Sequence, residues 1–285
     1  MIIAETDGGY QFVTQPAHAR LAGAFADRWG TDRFDDPAPD AAMRLAAYEH
    51  DVGWWEYDRH PHLDGDGRPV DFREMDAATW TDLYDEGIDT VAGMDRYAGL
   101  LVSMHGSGLR RRRYGLSPSW PETPDPFRPF VEREEDRQAR LLEELRATGD
   151  QRVSEDDSTL LSALHESGTP RGRGPRSRLW HNYRLLQAWD TLSLAFCVTV
   201  SPPGYRGIDA VPTNESSTDA TLSVEPTGGG EYRVDPYPFD ESPLTVTVPA
   251  RTVGRQRFEN ETELLLAYYR AERETTSFTL VSAGR

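Results

Sequence analysis

Between Thr14 and Val198, apolar residues recur at helical spacing in one segment after another, and that period is abandoned after Pro202. A helix with an apolar stripe must bury it against another element, so this alternation of stripe and link constrains the chain to a packed helical layer. The spacing predicts a first helix through Pro16 to about Trp29 with Thr14 as its N-cap, and a second from Asp40 towards His50. A third is expected over Ala77–Met94, and a fourth, capped by Asp95, carries Leu100, Leu101 and His105. Further helices are expected over 130–148, near Leu160 to His165, and from Leu179 to about Val198. Beyond Pro202, Thr221–Val224, Glu231–Val234, Leu244–Val248 and Phe278–Val281 read as strands, with one helix over Glu261–Tyr269 among them. Ile2–Val13 reads as a hairpin turning at Asp7-Gly8-Gly9. The expected fold class is mainly α, in three parts: an N-terminal hairpin over 1–13, a helical domain over 14–200 and a small β appendage over 201–285, whose sheet the hairpin is able to join. The proline-rich 114–129 and the Gly/Pro/Arg-rich 168–176 read as loops, the second of them mobile.

Charge narrows the function classes. The 285 residues carry 48 acids against 31 bases, a formal net charge of −17, and every base is an arginine because the sequence has no lysine. Such a surface repels nucleic-acid phosphates and anionic lipid, so the expected partner is a small molecule, with no nucleic acid and no membrane. An acidic, lysine-free chain suits a salt-rich cytoplasm, where screening moderates self-repulsion. The N-terminus lacks the basic region and apolar stretch of a signal peptide, and the single cysteine, Cys197, allows no internal disulfide; the expected location is cytoplasmic.

The chemistry lies on the helices. His18 shares a stripe with Leu21, Phe25 and Trp29, which turns it inward. His50 ends the second helix in register with Met43 and Ala47, and Asp51 follows it. His105 lies four residues after Leu101, and Asp190 sits on the stripe of Tyr183, Leu186, Leu194 and Cys197. A lone inward histidine is usually a hydrogen-bonded core residue, and a buried aspartate is often paired with an arginine such as Arg184. Here five such residues converge from four helices. Burying that many polar groups is costly unless a cation satisfies them, and imidazole with carboxylate suits divalent Mn, Fe, Co, Ni or Zn.

The order His18, His50-Asp51, Asp190, with the last inside Leu-Gln-Ala-Trp-Asp-Thr-Leu-Ser, resembles the HD-domain superfamily of helical metal-dependent phosphohydrolases. That resemblance implies an HD-domain-like helical bundle with His18, His50, Asp51 and Asp190 as metal ligands, and Asp51 bridging if two metals bind. His105 would match the additional histidine of two-metal members, and Asp51 and His105 would serve catalysis. Over nearly the whole chain, Val13–His18, Glu49–Trp54, Tyr97–Gly106, Leu186–Leu194 and Pro236–Phe239 resemble the domain-of-unknown-function family numbered 3891.

Around this set, Trp54, Trp55 and Tyr57 line a pocket or pack a core. Glu49 and Asp58 are candidate partners for the histidine ligands. Arg110 and Arg111, with Arg112 and Arg113, gather phosphate oxygens or form a solvated face. The expected function is a metal-dependent hydrolase acting on a small phosphorylated or otherwise anionic substrate. An HD-type di-iron oxygenase and a non-catalytic helical binding or regulatory module are the alternatives. A haem-oxygenase-like bundle, which also turns histidine and glutamate inward, lacks a reason for the His-Asp dyad.

Overall fold

In a computed structural model of the chain, the described residues are 1–116, 126–171, 177–200, 204–214 and 219–283. The middle of the expected loop over 114–129, and most of that over 168–176, lie outside them.

Helix α1 (Gln15–Asp27) begins where Thr14 accepts from the Ala17 N–H, with Pro16 in its first turn. Helix α2 (Asp40–Glu49) follows Pro39 and ends at His50, after which the chain makes two short 3-10 turns, Val52–Trp54 and Tyr57–Arg59. Helix α3 (Ala77–Met94) runs as its spacing predicts, and Asp95 caps α4 (Arg96–Arg110) by accepting from the Tyr97 and Ala98 N–H groups. Next come α5 (Arg128–Ala147), α6 (Glu155–Ser167) and α7 (Arg178–Cys197). α1 packs on α2 and α7, and α4 packs on α3, α5 and α7. α7 is buried on nearly every side, from Leu179 and Trp180 to Phe196 and Cys197.

Seven strands form one sheet: β1 (Ile2–Glu5), β2 (Tyr10–Val13), β3 (Tyr205–Val211), β4 (Ala220–Gly228), β5 (Glu231–Asp235), β6 (Leu244–Val253) and β7 (Arg273–Ser282). Their order is β1-β2-β6-β7-β5-β4-β3; among the described residues only β5 and β7 pair in parallel. The N-terminal hairpin joins this sheet through Phe12 opposite Arg251. Leu244, Val246, Val248 and Ala250 of β6 point to the helices, in one continuous core with Phe25 of α1 and Phe196 of α7. The opposite face of the hairpin end, with Ile3, Tyr10 and Phe12, is covered by Leu264 and Tyr268 of α8 (Glu261–Arg270).

The expectation of a mainly α, HD-domain-like bundle with a small β appendage is therefore corrected. About half of the described residues are helical and about a fifth lie in strands, and the strands close into a curled, mixed seven-stranded sheet. The reason is the two-residue period of the strands. A strand that alternates buried and exposed, as β6 does, has one apolar face to cover, and here α1 and α7 cover it.

Candidate metal centre

Four elements deliver the inward polar residues. His18 comes from the second turn of α1, His50 is the residue that ends α2, Asp51 opens the 3-10 turn after it, and Asp190 lies in the middle of α7. All are buried, at 1 to 4 % exposure. Their donor atoms meet at one point. His18 Nε2 is 3.0 Å from Asp190 Oδ1, 3.3 Å from His50 Nε2 and 3.7 Å from Asp51 Oδ2. His50 Nε2 is 3.5 Å from Asp51 Oδ2 and 3.6 Å from Asp190 Oδ1. Adjacent helical residues diverge by about 100°. His50 and Asp51 nonetheless share one site because the helix ends between them, with Asp51 at φ −115° and ψ 25°.

The outer partners settle which imidazole nitrogen faces the centre. His50 Nδ1 lies 2.9 Å from the Ala47 carbonyl oxygen, which only accepts, so Nδ1 carries a proton. Ser193 donates its hydroxyl proton to the Asp190 carbonyl, so its oxygen accepts from His18 Nδ1 at 2.8 Å. In their neutral forms both histidines therefore present an Nε2 lone pair to the centre, the arrangement that a hydrogen bond at the far ring nitrogen imposes on metal-ligating histidines. Tyr84 of α3 donates to Asp51 Oδ1 at 3.0 Å and leaves Oδ2 to the histidines. Two lone pairs 3.3 Å apart, flanked by two carboxylates, need a positive charge between them.

Electrostatics carries the same demand. Burial pushes the His50 imidazolium down, but the Asp51 charge and the hydrogen bond to Asp190 prevail and raise it to about 9. Burial also raises Asp51. For Asp190, burial is outweighed by hydrogen bonds from His18 and His50, which hold its carboxyl well below the usual range. His105 of α4 is different: burial drives its pKa down to about 3, so it is neutral. One nitrogen of His105 lies within 4.8 Å of donor atoms of His50 and Asp190.

The other expected residues take separate places. Trp54 is buried edge-on to Tyr57 and Tyr84. Glu49 is half-buried near Arg20, and burial raises its pKa. Asp58 is buried away from the cluster, accepting from the Met1 amine at 2.7 Å and the Gln15 N–H at 2.6 Å. Arg111 donates to the carbonyl oxygens of Leu164 and His165 at the end of α6. Arg110 lies between the rings of Trp80 and Phe127, 3.9 and 3.7 Å from their centroids. Burial lowers its pKa to about 10, the charge of Tyr84 opposing, and its Nε is buried without a hydrogen-bond partner among the described residues. The sequence reading missed Tyr84, Ser193, Gln187 and Arg113 as supports of the cluster. Only the i, i±3 spacing of Gln187 and Ser193 about Asp190 marks any of them along the chain.

An open cleft of about 600 Å³ lies elsewhere, between α1 and β6, lined by Arg20, Asp27, Tyr48 and Thr245 among others. The cluster is closed, and its carboxylates, at 4 and 5 % side-chain exposure, are its least covered members.

Fold and centre together define a mixed α/β protein built around a buried histidine–aspartate cluster. The chain belongs to the family described as "Protein of unknown function (DUF3891)", whose model matches residues 1–255. No curated protein and no solved structure matches it, and the HD-domain resemblance finds no support in these comparisons. Among the described residues, no helix is long and apolar enough to cross a membrane.

Proposed function

We propose that His18, His50, Asp51 and Asp190 hold a divalent cation and that the protein is a metal-dependent hydrolase of a small phosphorylated or otherwise anionic molecule. The observation that carries this reading is the pinning of both Nδ1 atoms, by Ala47 and Ser193, which turns two Nε2 lone pairs onto two carboxylate oxygens. Ligands about 2.1 Å from a common ion stand roughly 3.0–3.4 Å apart, and the donor atoms here span 3.0 to 3.7 Å. Two nitrogens and two oxygens suit Mn, Fe, Co, Ni or Zn. Such a cation lowers the pKa of a water molecule towards neutrality and polarises an ester oxygen. Tyr84 fixes the orientation of Asp51, and Arg110, held between two rings beside Tyr84 with no acid partner among the described residues, supplies positive charge for an anion.

A second reading has one observation in its favour. The cluster is nearly sealed, as structural metal sites are, and a protein that holds the ion without turnover fits that closure. Elemental analysis of protein purified without chelator, with hydrolysis of a generic phosphate ester, separates the cases. Wild type is expected to carry metal and to hydrolyse the ester; Asp51→Ala and Asp190→Ala are expected to lose both, and the exposed His60→Ala to keep both. Metal without turnover favours the second reading, and metal-free wild type or a fully loaded Asp51→Ala removes the centre altogether.

A further inference from the structure

His105 stands beside the four cluster residues, its ring edge-on to that of His50 with centroids 5.1 Å apart. It does not offer a cation what they offer. Its Nδ1 lies 2.8 Å from Gln187 Nε2. Which group donates there is fixed one step further out. Arg113 Nε donates to Gln187 Oε1 at 2.7 Å, and a guanidinium has only N–H groups to give. The amide must therefore turn its oxygen to Arg113 and its NH₂ to His105. His105 Nδ1 accepts, and the single proton of the neutral ring sits on Nε2. The imidazolium is excluded in this arrangement, because its Nδ1–H would face another N–H. One nitrogen has spent its lone pair and the other carries a proton. In their neutral forms His18 and His50 have the opposite tautomer, with Nδ1 protonated and the Nε2 lone pair turned to the centre.

The segment that delivers Arg113 is built against local preference. Arg112, Arg113 and Tyr114 take φ of 51°, 51° and 54°, the left-handed region that side chains with a Cβ disfavour. That turn brings Arg113, 1 % exposed, onto both the side chain and the carbonyl oxygen of Gln187, and sets Tyr114 Oη 2.9 Å from Ser107 Oγ. The one hydrogen bond of His105 among the described residues is taken at Nδ1, by Gln187, and one of its ring nitrogens lies within 4.8 Å of donor atoms of His50 and Asp190.

We infer that His105 is not a metal ligand but a hydrogen-bond donor, its Nε2–H directed at an oxygen of the anion held beside the cation. Gln187 and Arg113 are positioning residues that keep it in that tautomer. The assignment rests on the metal-centre reading for its purpose, and on the hydrogen-bond chain alone for the tautomer. A neutral N–H placed in a buried site stabilises charge developing on an oxygen without competing for the cation.

Long-range ¹H–¹⁵N correlation spectra of histidine-labelled protein, recorded without metal and then with Zn²⁺, test this. Expected in the metal-free protein is His105 with Nε2 protonated and Nδ1 bare, unchanged by Zn²⁺, while Nε2 of His18 and of His50 shift. Gln187→Glu replaces the donor by a carboxylate, which still accepts from Arg113 but now also accepts from His105. Its His105 is expected to move its proton to Nδ1 and its Nε2 to shift with Zn²⁺, with kcat on a phosphate ester down about 100-fold and KM within a few-fold. A wild-type His105 protonated at Nδ1, or a Zn²⁺ shift at its Nε2 equal to those of His18 and His50, overturns the inference. If Zn²⁺ shifts no histidine, the metal-centre reading fails, and the metal-free spectrum still decides the tautomer.

Discussion

A single hydroxyl holds half of the centre's geometry. Ser193 accepts from His18 Nδ1 and donates to the Asp190 carbonyl, so one side chain sets a ring tautomer on α1 from a position on α7. Ser193→Ala frees that ring to rotate and is expected to weaken metal binding about 10-fold, at the low end for outer-shell partners, as measured by competition with a chromogenic chelator. Without metal, protons do the cation's work. The His50 pKa, raised to about 9 from 6.5, means that its contribution to stability is complete below pH 6.5 and is lost as pH rises through 9. That contribution is on the order of 3 kcal/mol. Melting curves of chelator-treated protein should therefore fall between pH 6.5 and 9 relative to the Zn²⁺-loaded protein; parallel curves would sink the proton-bridge account. His18, His50 and Asp190 were legible in the sequence because each lies on an apolar stripe, and Asp51 because it directly follows His50. Ser193 and Tyr84 were not, since a hydroxyl on a buried stripe says nothing of a partner that is 175 residues away for Ser193 and 33 for Tyr84.

At the scale of elements, the helices and every strand but β3 were readable, and the extent of the sheet was not. Caps at Thr14 and Asp95 and the stripe of α3 place helices close to where they lie. Strand β3 escaped because its register shifts twice against β4, with Gly207 at φ 93° and Ala210 at φ 58°, so no two-residue period survives to be read. The joining of the hairpin to the sheet was expected, and β2 pairs with β6; the size of the sheet was misjudged because the expected strands were shorter than those that form, β6 running over Leu244–Val253 and β7 over Arg273–Ser282. The sheet as built is load-sharing with the helices. Phe278 of β7 is 4 % exposed, with its ring 4.9 Å from that of Phe196 on α7 and 5.8 Å from Tyr232. Phe278→Ala should cost about 3–5 kcal/mol. Because that ring joins both layers, calorimetry should show one transition at lower temperature, with the metal lost in it. A sheet that melts first while the metal stays bound would mean that the two layers fold separately.

For the molecule as a whole, pH and salt act through different groups. Burial holds His105 near 3 and His165 and His181 near 4, so the folded protein resists protonating them and loses stability as pH falls from 6.5 towards those values. The acids present the opposite difficulty. With a net charge of −17, arginine is the only basic side chain besides histidine, and it is spent in cross-helix pairs such as Arg133 with Asp85 and Arg137 with Asp89, which tie α5 to α3. Exposed pairs of this kind contribute little singly, about 0–1 kcal/mol each, and the unpaired excess of acid repels itself across the surface. Screening length falls from about 10 Å at 0.1 M salt to about 3 Å at 1 M, which removes long-range repulsion sooner than it weakens contacts at 3 Å. The buried centre lies beneath that surface and is screened least. The melting temperature is therefore expected to climb steeply from low salt to molar KCl, at fixed pH and with metal saturating. A flat or falling profile would show that the acidic surface is balanced by its arginine pairs and needs no salt.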